Sequence, residues 1–254
     1  MKQTNKIALV TGGSRGLGKD MALRLAEKGI DVILTYNTRA QEAQNVVTQI
    51  EERGRKAAAL QLNTGSLKDF DLFVSRVKDT LKNTFSATHF DFLINNAGIG
   101  GYSPISEVTE TFFDELLNVH FKGVYFLTQK MLPFMNDGGG IINVSSGLTR
   151  VSVPGSSVYA SLKGSVEIFT RYLAKELGAR RIKANTVAPG AILTDFGGGH
   201  LRNDEQLQKM VSSVTALGRP GEAEDIGGVV AFLCSEDAGW VNGQRIEVSG
   251  GMAL

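Results

Sequence analysis

The sequence predicts a doubly wound α/β domain: a central parallel sheet of about seven strands with helices on both faces. Three observations predict it. Short apolar runs alternate with longer amphipathic segments along all 254 residues. The runs are continuous in Val, Ile and Leu rather than alternating, which is the pattern of strands covered on both faces. Thirty glycines against five prolines place backbone freedom where the chain must turn tightly or approach something closely.

The strand-like runs are, in order, 6–12, 31–36, 56–62, 90–96, 140–146, 182–188 and 244–250. Helical patterns lie between them near 17–29, 39–53, 67–83, 110–135, 156–178 and 222–235. Such alternation implies right-handed βαβ crossovers and a ligand at the carboxyl ends of the strands, near the switch in strand order. No linker, repeat or low-complexity tract interrupts the chain, so residues 1–254 read as one domain. Segment 112–132 is apolar nearly all the way round, from Phe112 and Phe113 to Met131 and Leu132. A helix covering one sheet face needs only a stripe, so this segment points to a deeply buried helix or to one shared with a second subunit in a homodimer or homotetramer.

Composition excludes several classes. Lys+Arg 27 against Asp+Glu 26 leaves a formal charge of +1, so no bulk field draws nucleic acid or a membrane surface and the partner is a small molecule. One cysteine, Cys234, excludes a disulfide framework and a Cys-rich zinc site, and His89, His120 and His200 show no metal-ligand spacing. The N-terminal apolar stretch is too short for a signal peptide and no run reaches a membrane span. A reducing, cytoplasmic location is expected.

After the first strand comes Thr11-Gly12-Gly13-Ser14-Arg15-Gly16-Leu17-Gly18-Lys19-Asp20. Gly13-x4-Gly18-Lys19 fits a triphosphate-binding loop, but the next residue should then be Ser or Thr to hold magnesium, and it is Asp20. The other reading, Thr-Gly-x3-Gly-x-Gly, is a strand-to-helix turn for a dinucleotide diphosphate held on helix N–H groups. Further on, Tyr159 and Lys163 stand four apart in a helical pattern, which sets a phenol beside an ammonium. A nearby positive charge lowers a phenol's pKa and fits it for acid–base work near neutrality.

Thr11–Gly18, Asn95-Asn96-Ala97-Gly98, Ser146 thirteen residues before Tyr159, Lys163, and Pro189-Gly190-x3-Thr194 follow one another in a single order. In these motifs the chain resembles the short-chain dehydrogenase/reductase family over essentially its whole length. The resemblance implies a single Rossmann-type domain, often tetrameric, that moves a hydride reversibly between a nicotinamide cofactor and a carbonyl/alcohol pair. It implies that Tyr159 donates the proton, that Lys163 depresses its pKa and holds the nicotinamide ribose, and that Ser146 hydrogen-bonds the carbonyl oxygen. Gly12, Ser14, Arg15, Gly16, Leu17 and Gly18 would line the diphosphate. Asn63, Thr64, Asn95, Ala97 and Gly98 would border the adenosine half, the segment of Asn95 and Gly98 also steadying the central sheet, and Pro189, Gly190, Ile192 and Thr194 the nicotinamide. Two positions depart from the family pattern: Asn63 stands for a usual Asp, and His120 for the usual fourth catalytic residue, Asn. His120 is expected either to relay protons or to be a histidine satisfied by backbone groups.

After the second strand no carboxylate occurs until Glu42. An NAD site wants an acidic group there for the ribose hydroxyls, so NADP(H) is expected over NAD(H), with Arg15, Arg39, Asn37 and Thr38 near a 2′-phosphate. Gly197-Gly198-Gly199 suggests a mobile flap over substrate at about 190–215, and Leu148, Val153 and Phe196 a largely apolar pocket. The expected function is NADP(H)-dependent carbonyl reduction. Reduction of a 3-oxoacyl thioester, or a nucleotide-sensing module without catalysis, remain open alternatives.

Overall fold

The computed structural model describes residues 5–254; the reading of the extreme N-terminus falls partly on residues 1–4, outside the described residues. Seven parallel strands stand in the order β3-β2-β1-β4-β5-β6-β7: β1 Ile7–Val10, β2 Asp31–Tyr36, β3 Ala57–Gln61, β4 Phe90–Asn95, β5 Met135–Val144, β6 Lys183–Pro189 and β7 Arg245–Val248. The order reverses between β1 and β4, which pair in register Ala8↔Phe92 to Val10↔Ile94. Their carboxyl ends therefore open the crevice where this class of sheet binds ligands.

Two-sided burial explains the continuous apolar runs. Along β1, Ala8 and Val10 pack into one core and Ile7 and Leu9 into the other. The first core is closed by α1 (Gly16–Glu27), α2 (Ala40–Glu52) and α9 (Glu224–Leu233) through Met21, Leu25, Val46, Ile50, Ile226 and Val230. The second is closed by α3 (Phe70–Thr80), α5 (Gly123–Met131) and α6 (Ser157–Glu176) through Phe70, Phe73, Val77, Leu127, Met131 and Leu173.

Three elements differ from the sequence reading. The helix read over 110–135 is α4 (Glu110–Leu117), a π turn over Asn118–Lys122, and α5. Strand β5 begins at Met135, inside that reading, because Met135 pairs with Phe90 before a bulge. The segment read as a flap carries two helices, α7 (His200–Asn203) and α8 (Glu205–Ser213). The Asp204 carboxylate caps α8 by accepting from Gln206 N and Leu207 N at 2.9 and 3.0 Å. Among the described residues no helix is long and apolar enough to cross a membrane.

Candidate active site

The glycine loop between β1 and α1 is built for close approach. Gly12 and Gly16 have φ of +66° and +53°, a region costly for residues with a Cβ. A Cβ on Gly18 would strike the Gly12 carbonyl oxygen. Arg15, at the N-cap of α1, makes no side-chain cap, so the first N–H groups of the helix are left to a bound anion. Thr11 and Asn96 lock the loop. The Thr11 hydroxyl accepts from Asn96 N and Ala97 N at 2.9 and 3.0 Å. Asn96 Nδ2 donates to the carbonyls of Thr11 and Gly12 at 2.9 and 3.2 Å. Both residues lay within quoted motifs, yet neither was expected to act; only the contact across 85 residues reveals the pairing.

Asn95, read as bordering the adenosine ribose and steadying the central sheet, does the second: it is buried, and its amide donates to Thr128 Oγ1 at 3.0 Å and Asn143 Oδ1 at 2.8 Å. Asn143 in turn donates to Thr170 Oγ1 at 2.9 Å. Asn95 therefore ties β4 to β5 beneath the cleft. At the adenosine end, Asn63 Oδ1 accepts from Gly65 N at 3.0 Å, and Thr64 O lies against Gly123, where a Cβ would collide with it. Asn37 and Thr38 are exposed after β2. At the nicotinamide end, Gly190 packs on Ser249, Ile192 bridges to Gly221, and Thr194 faces Gly16. Leu17 turns away from the cleft into the core.

Tyr159 and Lys163 occupy successive turns of α6, and Ser146 ends the chain segment leaving β5. The Lys163 ammonium is 5.6 Å from the Tyr159 ring centroid and donates to Val144 O at 2.8 Å. Burial drops its pKa to about 8. Burial pushes the Tyr159 phenol up, and the hydrogen bond with Ser146 opposes that rise.

His120 sits in the π turn, fully buried, edge-on to Tyr159 with centroids 5.0 Å apart. Its Nε2 donates to Ile99 O at 2.8 Å, and its Nδ1 is buried without a partner. Burial, and then the charge of Lys163, lower its pKa to about 3.

The Phe196–Gly199 segment lies beside the catalytic helix. Phe196 is 5.9 Å from the Tyr159 ring and half exposed, and Gly197 approaches Gly100 so closely that a Cβ on Gly100 would meet Gly197 Cα at 2.5 Å. Val153 is exposed at the rim, and Leu148 N donates to Ser146 Oγ at 3.2 Å. Both arginines expected at a 2′-phosphate have carboxylate partners: Arg39 with Glu42 at 2.6 Å, and Arg15 with Asp195 at 3.2 Å. These pairs are exposed and worth little individually, so an anion can compete for either guanidinium. Among the described residues no cluster of three or more His, Cys, Asp or Glu could hold a metal.

Comparison with known proteins follows the same geometry. A family model described as enoyl-(acyl carrier protein) reductase matches residues 12–253. The chain is 37% identical over 258 residues to the short chain dehydrogenase mdpC of Emericella nidulans, covering 98% of this chain and 95% of that protein. It is 35% identical over 257 residues to the hydroxynaphthalene reductase-like protein Arp2 of Metarhizium brunneum, covering 97% and 94%. A crystal structure of the landomycin C-6 ketoreductase LanV, with bound NADP and rabelomycin, superposes with a TM-score of 0.90 at 40% identity, covering 99% of this chain and 97% of that one. With the seven-stranded sheet, the glycine loop and the Ser146–Tyr159–Lys163 group in place, the chain belongs to the short-chain dehydrogenase/reductase family.

Proposed function

We propose that the chain is an NADP(H)-dependent carbonyl reductase acting on a flat, largely apolar ketone. The observation that carries this reading is Tyr159 with the buried Lys163 ammonium 5.6 Å from its ring on α6, facing the Ser146 segment that leaves β5 at the mouth of the sheet crevice. Two O–H donors converging on one point suit a single carbonyl oxygen, on which charge grows during reduction. Tyr159 gives the proton to that oxygen, Ser146 steadies it, and Lys163 places a positive charge below the phenol. NADPH, when bound, supplies the hydride. The residues fit that cofactor: positive-φ glycines and the uncapped first turn of α1 for the diphosphate, and Arg15, Arg39, Asn37 and Thr38 with no free carboxylate after β2 for a 2′-phosphate. LanV, a ketoreductase with bound NADP and rabelomycin, supports the cofactor and the ketone. The Phe196 ring, tilted against Tyr159 and half exposed, offers an apolar surface suited to a substrate with rings of its own.

We infer further that the protein works as a homotetramer in the cytoplasm. Phe121, Tyr125, Phe169 and Tyr172 line an open groove of about 420 Å³ on α5 and α6, an apolar face suited to a second copy. Light scattering tests it, against a chain mass of 27.3 kDa.

The decisive assay follows reduced-nicotinamide absorbance over a panel of polycyclic ketones, simple ketones, sugars and acyl thioesters. Oxidation of NADPH by the flat ketones is expected. Turnover confined to the thioesters overturns the substrate class, and turnover with nothing in the panel favours a binding module.

A further inference from the structure

The catalytic helix carries a third residue at the same spacing. Tyr159, Lys163 and Glu167 follow one another at intervals of four, so they lie along one face of α6. Glu167 faces the loop that presents Ser146, and its Oε1 gathers three donors there. Ser145 Oγ donates at 2.7 Å, Thr149 Oγ1 at 2.8 Å and Arg245 Nε at 2.8 Å. Ser145 and Thr149 bracket Ser146 in sequence, so the carboxylate holds the loop on both sides of the catalytic hydroxyl. Arg245, reaching in from β7, also donates to Thr149 Oγ1 at 3.0 Å and to the Ser146 carbonyl at 3.4 Å. The Thr149 hydroxyl has a second acceptor in Ser146 O, at 2.9 Å. The outer side of Arg245 is braced by Glu247 at 2.9 Å, and Glu247 by Arg150 at 2.7 Å.

The pairings join three separate parts of the chain: the loop after β5, the middle of α6 and the start of β7. Glu167 and Arg245 are 14% and 26% exposed in their side chains, so water screens this pair less than the exposed pairs elsewhere. The bonds to Glu167 are charge-assisted, which makes them shorter and stronger than neutral ones. A loop held only by its own backbone would let Ser146 wander relative to Tyr159, because the two residues belong to different elements. Glu167 instead refers the Ser146 loop to the helix that carries Tyr159 and Lys163.

We propose that Glu167, supported by Arg245, is a positioning residue that sets the distance and direction of the Ser146 hydroxyl relative to Tyr159. The proposal rests on the carbonyl-reductase reading, and its test separates the two. Glu167→Ala is expected to cut kcat by about ten- to a hundred-fold, the scale of a misplacement near 1 Å. Cofactor affinity, read directly from the fluorescence of bound NADPH, stays within about two-fold, since none of these contacts belongs to the glycine loop. Glu167→Gln keeps an acceptor oxygen and recovers most of the loss. In a Ser146→Ala background, Glu167→Ala costs less than about two-fold further, because residues acting through one group are not additive. Thr149→Val, which removes one donor, carries the same cycle if Glu167→Ala does not fold. Full additivity in that background, or a fall in cofactor affinity matching the fall in kcat, overturns the proposal and makes Glu167 a general support of the fold. If Ser146→Ala is itself as active as the parent enzyme, it is the catalytic reading of Ser146 that fails.

Discussion

His120 hands its one ring proton to the carbonyl of Ile99, 2.8 Å away, and thereby pins the strand-end loop above the sheet to the helix beneath Tyr159. The ring is neutral at working pH, since its pKa is held at about 3. His120→Asn should leave the acid limb of kcat in place, and His120→Ala should lower kcat about ten-fold or more by leaving a cavity behind Tyr159. The titration shows in stability instead. The unfolded chain takes up a proton near pH 6.5 and the folded one does not until about 3, so stability falls as pH drops through that window. Between pH 7 and 5 this costs the parent about 2 kcal/mol, and His120→Asn should remove that slope in denaturant titrations. An unchanged slope would show that the ring protonates in the folded state.

Tyr159→Phe should cut kcat by about 10²–10⁴, the usual worth of a positioned general acid, while NADPH binding measured by fluorescence stays within a few-fold. Retention of a tenth of turnover would place the proton donor elsewhere.

Cofactor choice should show as a higher kcat/KM with NADPH than with NADH. Arg15→Ala combined with Arg39→Ala should weaken NADPH by about ten- to a hundred-fold, two charge-assisted contacts at roughly 1 kcal/mol each when exposed, and leave NADH nearly unchanged. Equal losses for both cofactors would mean that neither guanidinium reads the 2′-phosphate.

Lys163 is an ammonium kept in a buried place at a cost to the fold. Its pKa is about 8 folded against 10.5 as a free side chain, so between those values the unfolded chain holds more protons and stability rises with pH. Below pH 8 the penalty is present in full. Lys163→Met should abolish turnover yet raise stability at pH 7 by up to about 2 kcal/mol, once a lost hydrogen bond to Val144 is subtracted. The gain should vanish above pH 10.5, and thermal melts at pH 7 and 10.5 check both halves.

Gly100→Ala should push the flap off the pocket, because the new methyl meets backbone atoms of Gly197 at 2.5 and 2.8 Å. A raised KM for the ketone with unchanged NADPH affinity is the expected signature. An unchanged KM would mean that the flap yields without cost.

Much of this was legible from local pattern. Strand β2 falls on residues 31–36 as read, because its apolar run is bounded by Gly29 and Asn37 and both its faces are covered. What escaped depended on pairings across the chain. Strand β5 gains its first residues only through Met135 against Phe90, where the local sequence Asn136-Asp137-Gly138 signals a turn. Helix α8 was hidden behind the glycine run, although Asp204 followed by Glu205, Gln206 and Leu207 is a start signal. Within the site, the catalytic residues were visible from spacing on one helix, whereas Glu167 has no meaning until Arg245, 78 residues later, is folded against it. Which partners Asn95 would tie together was also hidden, because an amide looks the same in sequence whether it faces a ligand or, as here, Thr128 and Asn143.

The π turn over Asn118–Lys122 joins α4 to α5 without breaking their common face. The buried residues Leu116, His120, Val124, Leu127 and Met131 keep spacings of three and four across it. Segment 112–132 reads as greasy on all sides because aromatic side chains also occupy its outward face. Phe113 before the turn and Tyr125 and Phe126 after it remain exposed. The rod thus has two faces: one seats His120 against Tyr159, and the other presents aromatic rings to the surface.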